Sequence, residues 1–142
     1  GDFDEGSTTV TQLQALRAAR NSGIPVPKET IDKAIKYLKD CTTPRGGLIY
    51  NLIPGRAAAA GGECQAITAA ACASAASTGM YRDKYFGMWV KYCKETVYKQ
   101  FGSNGHDDYS NLYFGQVMYM LGDDRYLNII DTEAKKADAM LW

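Results

Sequence analysis

Ala34-Ile35-Lys36-Tyr37-Leu38-Lys39 and Trp89-Val90-Lys91-Tyr92-Cys93-Lys94 stand 55 positions apart and share the pattern x-[Ile/Val]-Lys-Tyr-x-Lys. The segments that precede them repeat as well. Ala15-Leu16-Arg17-Ala18-Ala19-Arg20-Asn21-Ser22-Gly23 lies 56 positions before Ala71-Cys72-Ala73-Ser74-Ala75-Ala76-Ser77-Thr78-Gly79. Two blocks in the same order at nearly the same offset identify an internal repeat, and a fainter third copy is Val117-Met118-Tyr119-Met120-Leu121-Gly122.

Each unit reads as a helix, a glycine stop, a short turn and a second helix. Gly23, Gly79 and Gly122 each follow a helical pattern, where the left-handed position after a helix favours glycine. Ile24-Pro25-Val26-Pro27 cannot continue a helix. In the second helices, Ile31, Ala34, Ile35, Leu38 and Cys41 form one stripe over Lys28–Asp40. Tyr85, Met88, Trp89, Tyr92, Cys93 and Thr96 form another over about Asp83–Val97, and Tyr126, Ile129, Ile130, Ala134, Ala137 and Leu141 a third over about Asp123–Leu141. The first helices, about Ser7–Ser22, Glu63–Thr78 and Asp107–Leu121, are richer in small residues. A helix that is small or apolar all round must be covered on several sides, so these are expected to be inner and the second helices outer. The pattern predicts an all-α fold: three antiparallel helical hairpins in two layers, forming an arc or partial α/α toroid, with repeat units of about 7–41, 63–97 and 107–141 in a single domain. No segment shows strand periodicity.

The connections are asymmetric. Inner-to-outer turns are short (Gly23–Pro27, Gly79–Arg82, Gly122–Asp123), whereas outer-to-inner loops are long (Thr42–Gly62 and about Tyr98–His106). The long loops should therefore gather at one rim, beside the N-termini of the inner helices, where loops on a rigid scaffold often carry function.

Ala34–Tyr50 includes Thr42-Thr43-Pro44-Arg45-Gly46-Gly47-Leu48, and this segment resembles the prenyltransferase and squalene-cyclase repeat, in which an outer helix leads into a Gly-Gly signature. Thr42 stands where that repeat favours Gln, Arg45 where it favours Asp, and Leu48 where it favours an aromatic residue. Ala66–Tyr81 and Tyr109–Tyr126 resemble the next two units. In that superfamily the fold is a closed ring of hairpins. The resemblance thus implies an arc that is part of a longer protein, completed by the remainder of the parent chain or by a second copy.

The resemblance implies chemistries that each need particular residues at particular spacings. An acid that protonates an alkene needs closely spaced aspartates. Asp107-Asp108 and Asp123-Asp124 lack the Asp-x-Asp-Asp spacing and are expected to serve helix N-termini. A zinc-activated thiolate needs an Asp-x-Cys pair and a distant histidine. His106 is the sole histidine, and Gly62 rather than Asp stands two before Cys64, so no metal is expected. A thioester needs Cys three residues before Gln, whereas Cys64 and Gln65 are adjacent. Glu63, His106, Asp107 and Asp108 remain as binding candidates on the long-loop rim, with Tyr109, Tyr113 and Gln116 on one face of the third inner helix. Aromatic residues line isoprenoid pockets in the family, so an apolar small molecule is one implied partner.

The bulk properties agree with this reading. The chain has 142 residues with 16 basic and 16 acidic side chains, a balance that points to neither nucleic acid nor an anionic membrane. Lys33, Lys36 and Lys39 lie at helical spacing and read as a solvated face. No apolar run is long enough to span a bilayer. Four cysteines allow three pairings; Cys72 and Cys93 fall in apolar helical patterns and read as buried thiols, with a disulfide the alternative. The expectation is a non-catalytic scaffold or binding segment with no cofactor, the alternatives being a fragment of an isoprenoid cyclase or prenyltransferase-like enzyme, or a protein-interaction module.

Overall fold

A computed structural model describes residues 5–53, 62–97 and 107–129, with side chains in the final segment through Leu121. Five helices occur among these residues: α1 (Gly6–Asn21), α2 (Lys28–Asp40), α3 (Gln65–Ser77), α4 (Lys84–Thr96) and α5 (Asp107–Ile129). The chain is mostly helical, as the periodicity predicts.

The core is organised around α3. Every residue from Ala66 to Ala76 is buried. Alanine has the highest helix propensity, and its methyl lets a neighbouring backbone approach closely. Helix α3 accordingly contacts α1, α4 and α5, while α2 rests on α1. Two polar residues inside α3 are satisfied: Ser74 Oγ donates to the Val10 carbonyl at 3.3 Å, and Thr68 Oγ1 donates to the Cys64 carbonyl at 2.7 Å. The other two helices expected to be inner differ. Helix α1 buries Gly6, Val10 and Leu13, and α5 buries the stripe Ser110, Tyr113, Phe114, Val117, Met118 and Leu121. Each leaves its opposite face exposed.

The turns after α1 and α3 share one geometry. After α1, Ile24 N donates to Ala19 O at 3.0 Å and Gly23 N to Arg20 O at 3.0 Å. After α3, Met80 N donates to Ala75 O and Gly79 N to Ala76 O, both at 3.1 Å. These are two Schellman motifs, with φ +83° at Gly23 and +84° at Gly79. Helix α2 then presents Ile35, Leu38 and Cys41 to the core and Lys33 and Lys36 to solvent, paired with Glu29 at 2.7 Å and Asp40 at 2.5 Å. Lys39 instead reaches across to Asp83 at 2.5 Å. Helix α4 buries Trp89, Tyr92, Cys93 and Thr96 as expected and adds Phe86 and Val90, while Tyr85 and Met88 of the expected stripe are only half-buried.

Two expectations require correction. Gly122 does not end a helix: α5 runs continuously through it to Ile129, so the turn expected at Gly122–Asp123 is absent, and Asp123-Asp124 lie inside a helix rather than opening one. Glycine permits a stop without imposing one: Gly79 ends α3 with no proline after it, whereas α5 continues through Gly122. The stripe predicted from Tyr126 to Leu141 lies outside the described side chains. There is also a small antiparallel sheet. Strands β1 (Leu48–Ile49) and β2 (Glu63–Cys64) pair Leu48 with Cys64 and Ile49 with Glu63. Two residues per strand are too few to leave an alternating pattern in the sequence. Glu63 therefore sits on a strand, and the helix begins at Gln65.

The Gly-Gly segment seats the loop between the helices. Gly46 N donates to Thr43 O at 3.0 Å, closing a Thr43-Pro44-Arg45-Gly46 turn, with proline at its favoured second position. Gly46 has φ +100°, and a Cβ there would stand 2.8 Å from the Met88 carbonyl oxygen on α4. Gly46→Ala should cost about 3 kcal/mol, combining left-handed strain with a clash against backbone. Gly23→Ala, where the added methyl meets nothing within 4 Å, should cost only about 1 kcal/mol. Urea unfolding of the two variants measures the difference.

Asp83 caps α4, accepting from the Tyr85 amide at 2.9 Å while pairing with Lys39. The hydrogen bond from Lys39, helped by the Tyr85 amide, holds its carboxyl below the usual aspartate value against the opposing effect of burial. A carboxyl lowered on folding stabilises the protein above its unfolded-state pKa, and that contribution is lost as pH falls through the lower folded value. Asp83→Asn, which keeps a cap but loses the pair, should therefore lower stability by about 1 kcal/mol at neutral pH and by progressively less in acid. Thermal unfolding across the acid limb checks the convergence.

Candidate functional site

The rim where loop and helix N-termini meet is held by a set of reciprocal contacts. Leu48 N donates to Thr68 Oγ1 at 2.9 Å, fixing β1 to the first turn of α3. Gly6 N donates to Tyr50 O at 2.9 Å, supplying a partner for the first amide of α1. A Cβ on Gly6 would lie 3.0 Å from that oxygen and 3.1 Å from Ile67 Cγ2, so this approach is close. Tyr50 also donates its hydroxyl to Glu5, which accepts from Ser7 Oγ at 2.9 Å. These bonds, the one from Tyr50 foremost, keep the Glu5 carboxyl below its ordinary pKa, and the same bond raises that of Tyr50. Trp89, fully buried on α4, donates Nε1–H to Thr42 Oγ1 at 2.9 Å, tying the end of α2 to α4.

Glu63 belongs to this clasp. Its side chain is 17% exposed; it accepts from Thr43 Oγ1 through one carboxylate oxygen and faces Arg45 Nη1 at 3.4 Å through the other. The Arg45 guanidinium stands 5.6 Å from the centre of the Tyr92 ring. A Cβ on Gly47 would come within 2.7 Å of that ring and 2.8 Å of Glu63 Cδ. Only glycine leaves room for the carboxylate and the phenol to close over the loop. Burial first, and then the Glu63 charge, push the Tyr92 phenol up to about 12. Both Glu63 oxygens thus hold the loop in place.

The remaining sequence candidates lie on or just before α5 in the chain. His106 lies outside the described residues. Asp107 and Asp108 form the first turn of α5, where their charge complements the helix dipole, and Asp108 is exposed. Tyr109 and Tyr113 pack edge to face with centroids 4.6 Å apart. Tyr113 is buried, and burial followed by its bond with Tyr109 raises its pKa to about 12. Gln116, predicted to share their face, is exposed and points elsewhere. The helical period explains the split. The buried stripe of α5 passes through Ser110, Tyr113, Phe114 and Val117, so a residue three beyond Tyr113 emerges on its solvent edge.

Gln116 opens instead onto a groove of about 590 Å³ between α1, α3 and α5. Its floor is made of small residues, Ala73, Ser77 and Gly115, and a Cβ on Gly115 would meet nothing within 4 Å. Its walls carry Gln14 and Arg17 from α1 and Leu112 and Tyr119 from α5, the last two 58% and 88% exposed. Sequence reading missed Leu112 and Tyr119 as surface residues because it assigned the whole of α5 to the interior.

All four cysteines are free thiols. Cys41, Cys72 and Cys93 are buried and Cys64 is half-buried. Desolvation drives Cys72 and Cys93 far above the ordinary thiol range, the charge of Cys93 adding to the effect at Cys72. Since the thiolate is the reacting species, an aromatic disulfide reagent should modify Cys64 alone in the folded protein and all four cysteines in denaturant, as read by peptide mapping. Among the described residues no group of three or more His, Cys, Asp or Glu side chains is arranged to hold a metal ion, and no helix is long and apolar enough to cross a membrane. Comparison with family models, with curated proteins and with solved structures finds no match to this chain.

Proposed function

We propose that this chain is a non-catalytic scaffold segment of helical hairpins, an arc of the α/α-toroid kind, whose α1–α3–α5 face pairs with a further helical element. The paired Schellman turns at Gly23 and Gly79 support a hairpin unit repeated along the chain. So does the contact order, with α2 on α1, α4 on α3, and α1, α3 and α5 in series. The engagement of Glu63 in the loop clasp favours a structural rim over an acid-bearing one.

The observation that carries the pairing is the groove of α1, α3 and α5. A small-residue floor admits the backbone of another helix, and Leu112 and Tyr119 stand exposed beside it. Helix pairs approach most closely where one partner presents small side chains, and exposed aliphatic and aromatic residues beside such a floor supply contact area. A second copy of the chain offers the same surface and is the simplest partner to test.

Sedimentation equilibrium of the protein should show concentration-dependent self-association. Leu112→Glu combined with Tyr119→Glu should abolish it without changing the far-ultraviolet circular dichroism, because neither side chain is part of the core. A chain that stays monomeric at every accessible concentration would overturn the pairing. Turnover of an isoprenoid diphosphate or a squalene-like substrate would overturn the non-catalytic reading.

A further inference from the structure

A second and larger depression, of about 960 Å³, lies on the other side of α1, bounded by α2 and by the turn from α3 to α4. Its lining is amphipathic. Leu16, Ile31 and Met80 supply apolar surface and Tyr81 stands at its edge. The charged residues are unevenly paired. Lys28 is matched by Asp32 and Lys39 by Asp83, each at 2.5 Å, and all four line the cleft. Arg17 and Arg20 also line it, both exposed, and neither has an ion-pair partner among the described residues. Two guanidinium groups without an acidic partner among the described residues thus stand beside an apolar trough.

We infer that this cleft is a docking site for an acidic amphipathic helix of a partner protein. Arg17 and Arg20 are three residues apart on α1, so their side chains leave the helix on one face about 5–6 Å apart. Carboxylates one turn apart on a docked helix have the same spacing, and each can accept a two-pronged bond from a guanidinium. The apolar face of that helix would lie along Leu16, Ile31 and Met80, the helix-in-groove mode in which a stripe at i, i+3, i+4 and i+7 enters a preformed trough. A small amphiphilic carboxylate would bring one negative charge to two guanidinium groups, whereas a helix can bring two, and this favours the helix. The cleft shares Arg17 and Ser77 with the α1–α3–α5 groove, but Arg20, Ile31 and Met80 line the cleft alone and Gln116 and Tyr119 the groove alone.

The test uses the intact protein and a fluorescent designed peptide of about four helical turns, with leucines on one face and glutamates one turn apart beside them. Anisotropy should show saturable binding that weakens as salt rises. Arg20→Glu should weaken it by at least ~10-fold, Arg20→Gln by less, and Tyr119→Glu not at all. Arg20 is exposed, and thermal unfolding of the variants confirms that they fold. Equal binding of a peptide with lysines in place of the glutamates would overturn the inference, as would insensitivity to Arg20→Glu or loss of binding with Tyr119→Glu. Saturable binding of dodecanoate with none of the peptide would replace the helix by a small amphiphile, and so overturn it too.

Discussion

The close approach of three helices to the alanine surface of α3 fixes the position of almost everything else. Each alanine methyl removes little area from water, contributing about 0.8 kcal/mol per buried carbon. The gain from α3 therefore comes less from its own side chains than from what its smallness admits. Val10 and Leu13 of α1, Trp89 and Cys93 of α4, and Phe114 and Val117 of α5 are all essentially inaccessible to water. They reach that state because most of the α3 surface they meet, Ala69–Ala71, Ala73, Ala75 and Ala76, carries only methyl groups. The same closeness lets Ser74 reach the backbone of α1, so a buried hydroxyl of α3 ties two helices together.

With α3 held in this way, its N-terminus becomes the fixed point for the loop. Thr68 accepts from Leu48 while donating to Cys64, so one hydroxyl joins both strands of the small sheet to the helix they precede. From there the loop is pinned at Gly6 on one side and at Thr42, Glu63 and Tyr92 on the other. Cross-linking of this kind gives the Gly46-Gly47 pair a physical role. One glycine adopts a left-handed turn against the backbone of α4, and the other makes room for an aromatic ring and a carboxylate. A carboxylate whose two oxygens engage a loop is poorly placed to take a proton to or from a substrate, in keeping with the scaffold role proposed above.

Much of this was legible in the sequence, and what was not has identifiable causes. The bounds of α2, the stripes of α2 and α4, the burial of the alanine helix and the glycine stops at Gly23 and Gly79 follow from local period and turn chemistry. The stop at Gly122 was misread because glycine is compatible with either outcome. The two short strands left no alternation to detect. The partition of α5 between a buried stripe and an exposed edge was hidden because both sides carry aromatic residues. Tyr113 is buried while Tyr119 is open to solvent, and only the placement of α3 determines which is which. The engagement of Glu63 could not be foreseen from Glu63 itself, since its partners Thr43 and Arg45 lie about twenty residues earlier on the far side of a loop.

Helix α1 divides the exposed surface into two regions of different chemistry. Its buried face ends at Leu13, so Gln14 falls toward the groove shared with α5, while Leu16 and Arg20 fall toward the cleft shared with α2. Arg17 stands on the ridge between them and lines both. A helix turns 100° per residue, so no single side chain except one on such a ridge can serve both surfaces. Arg20 and Tyr119, each confined to one side, separate the contributions of the two surfaces.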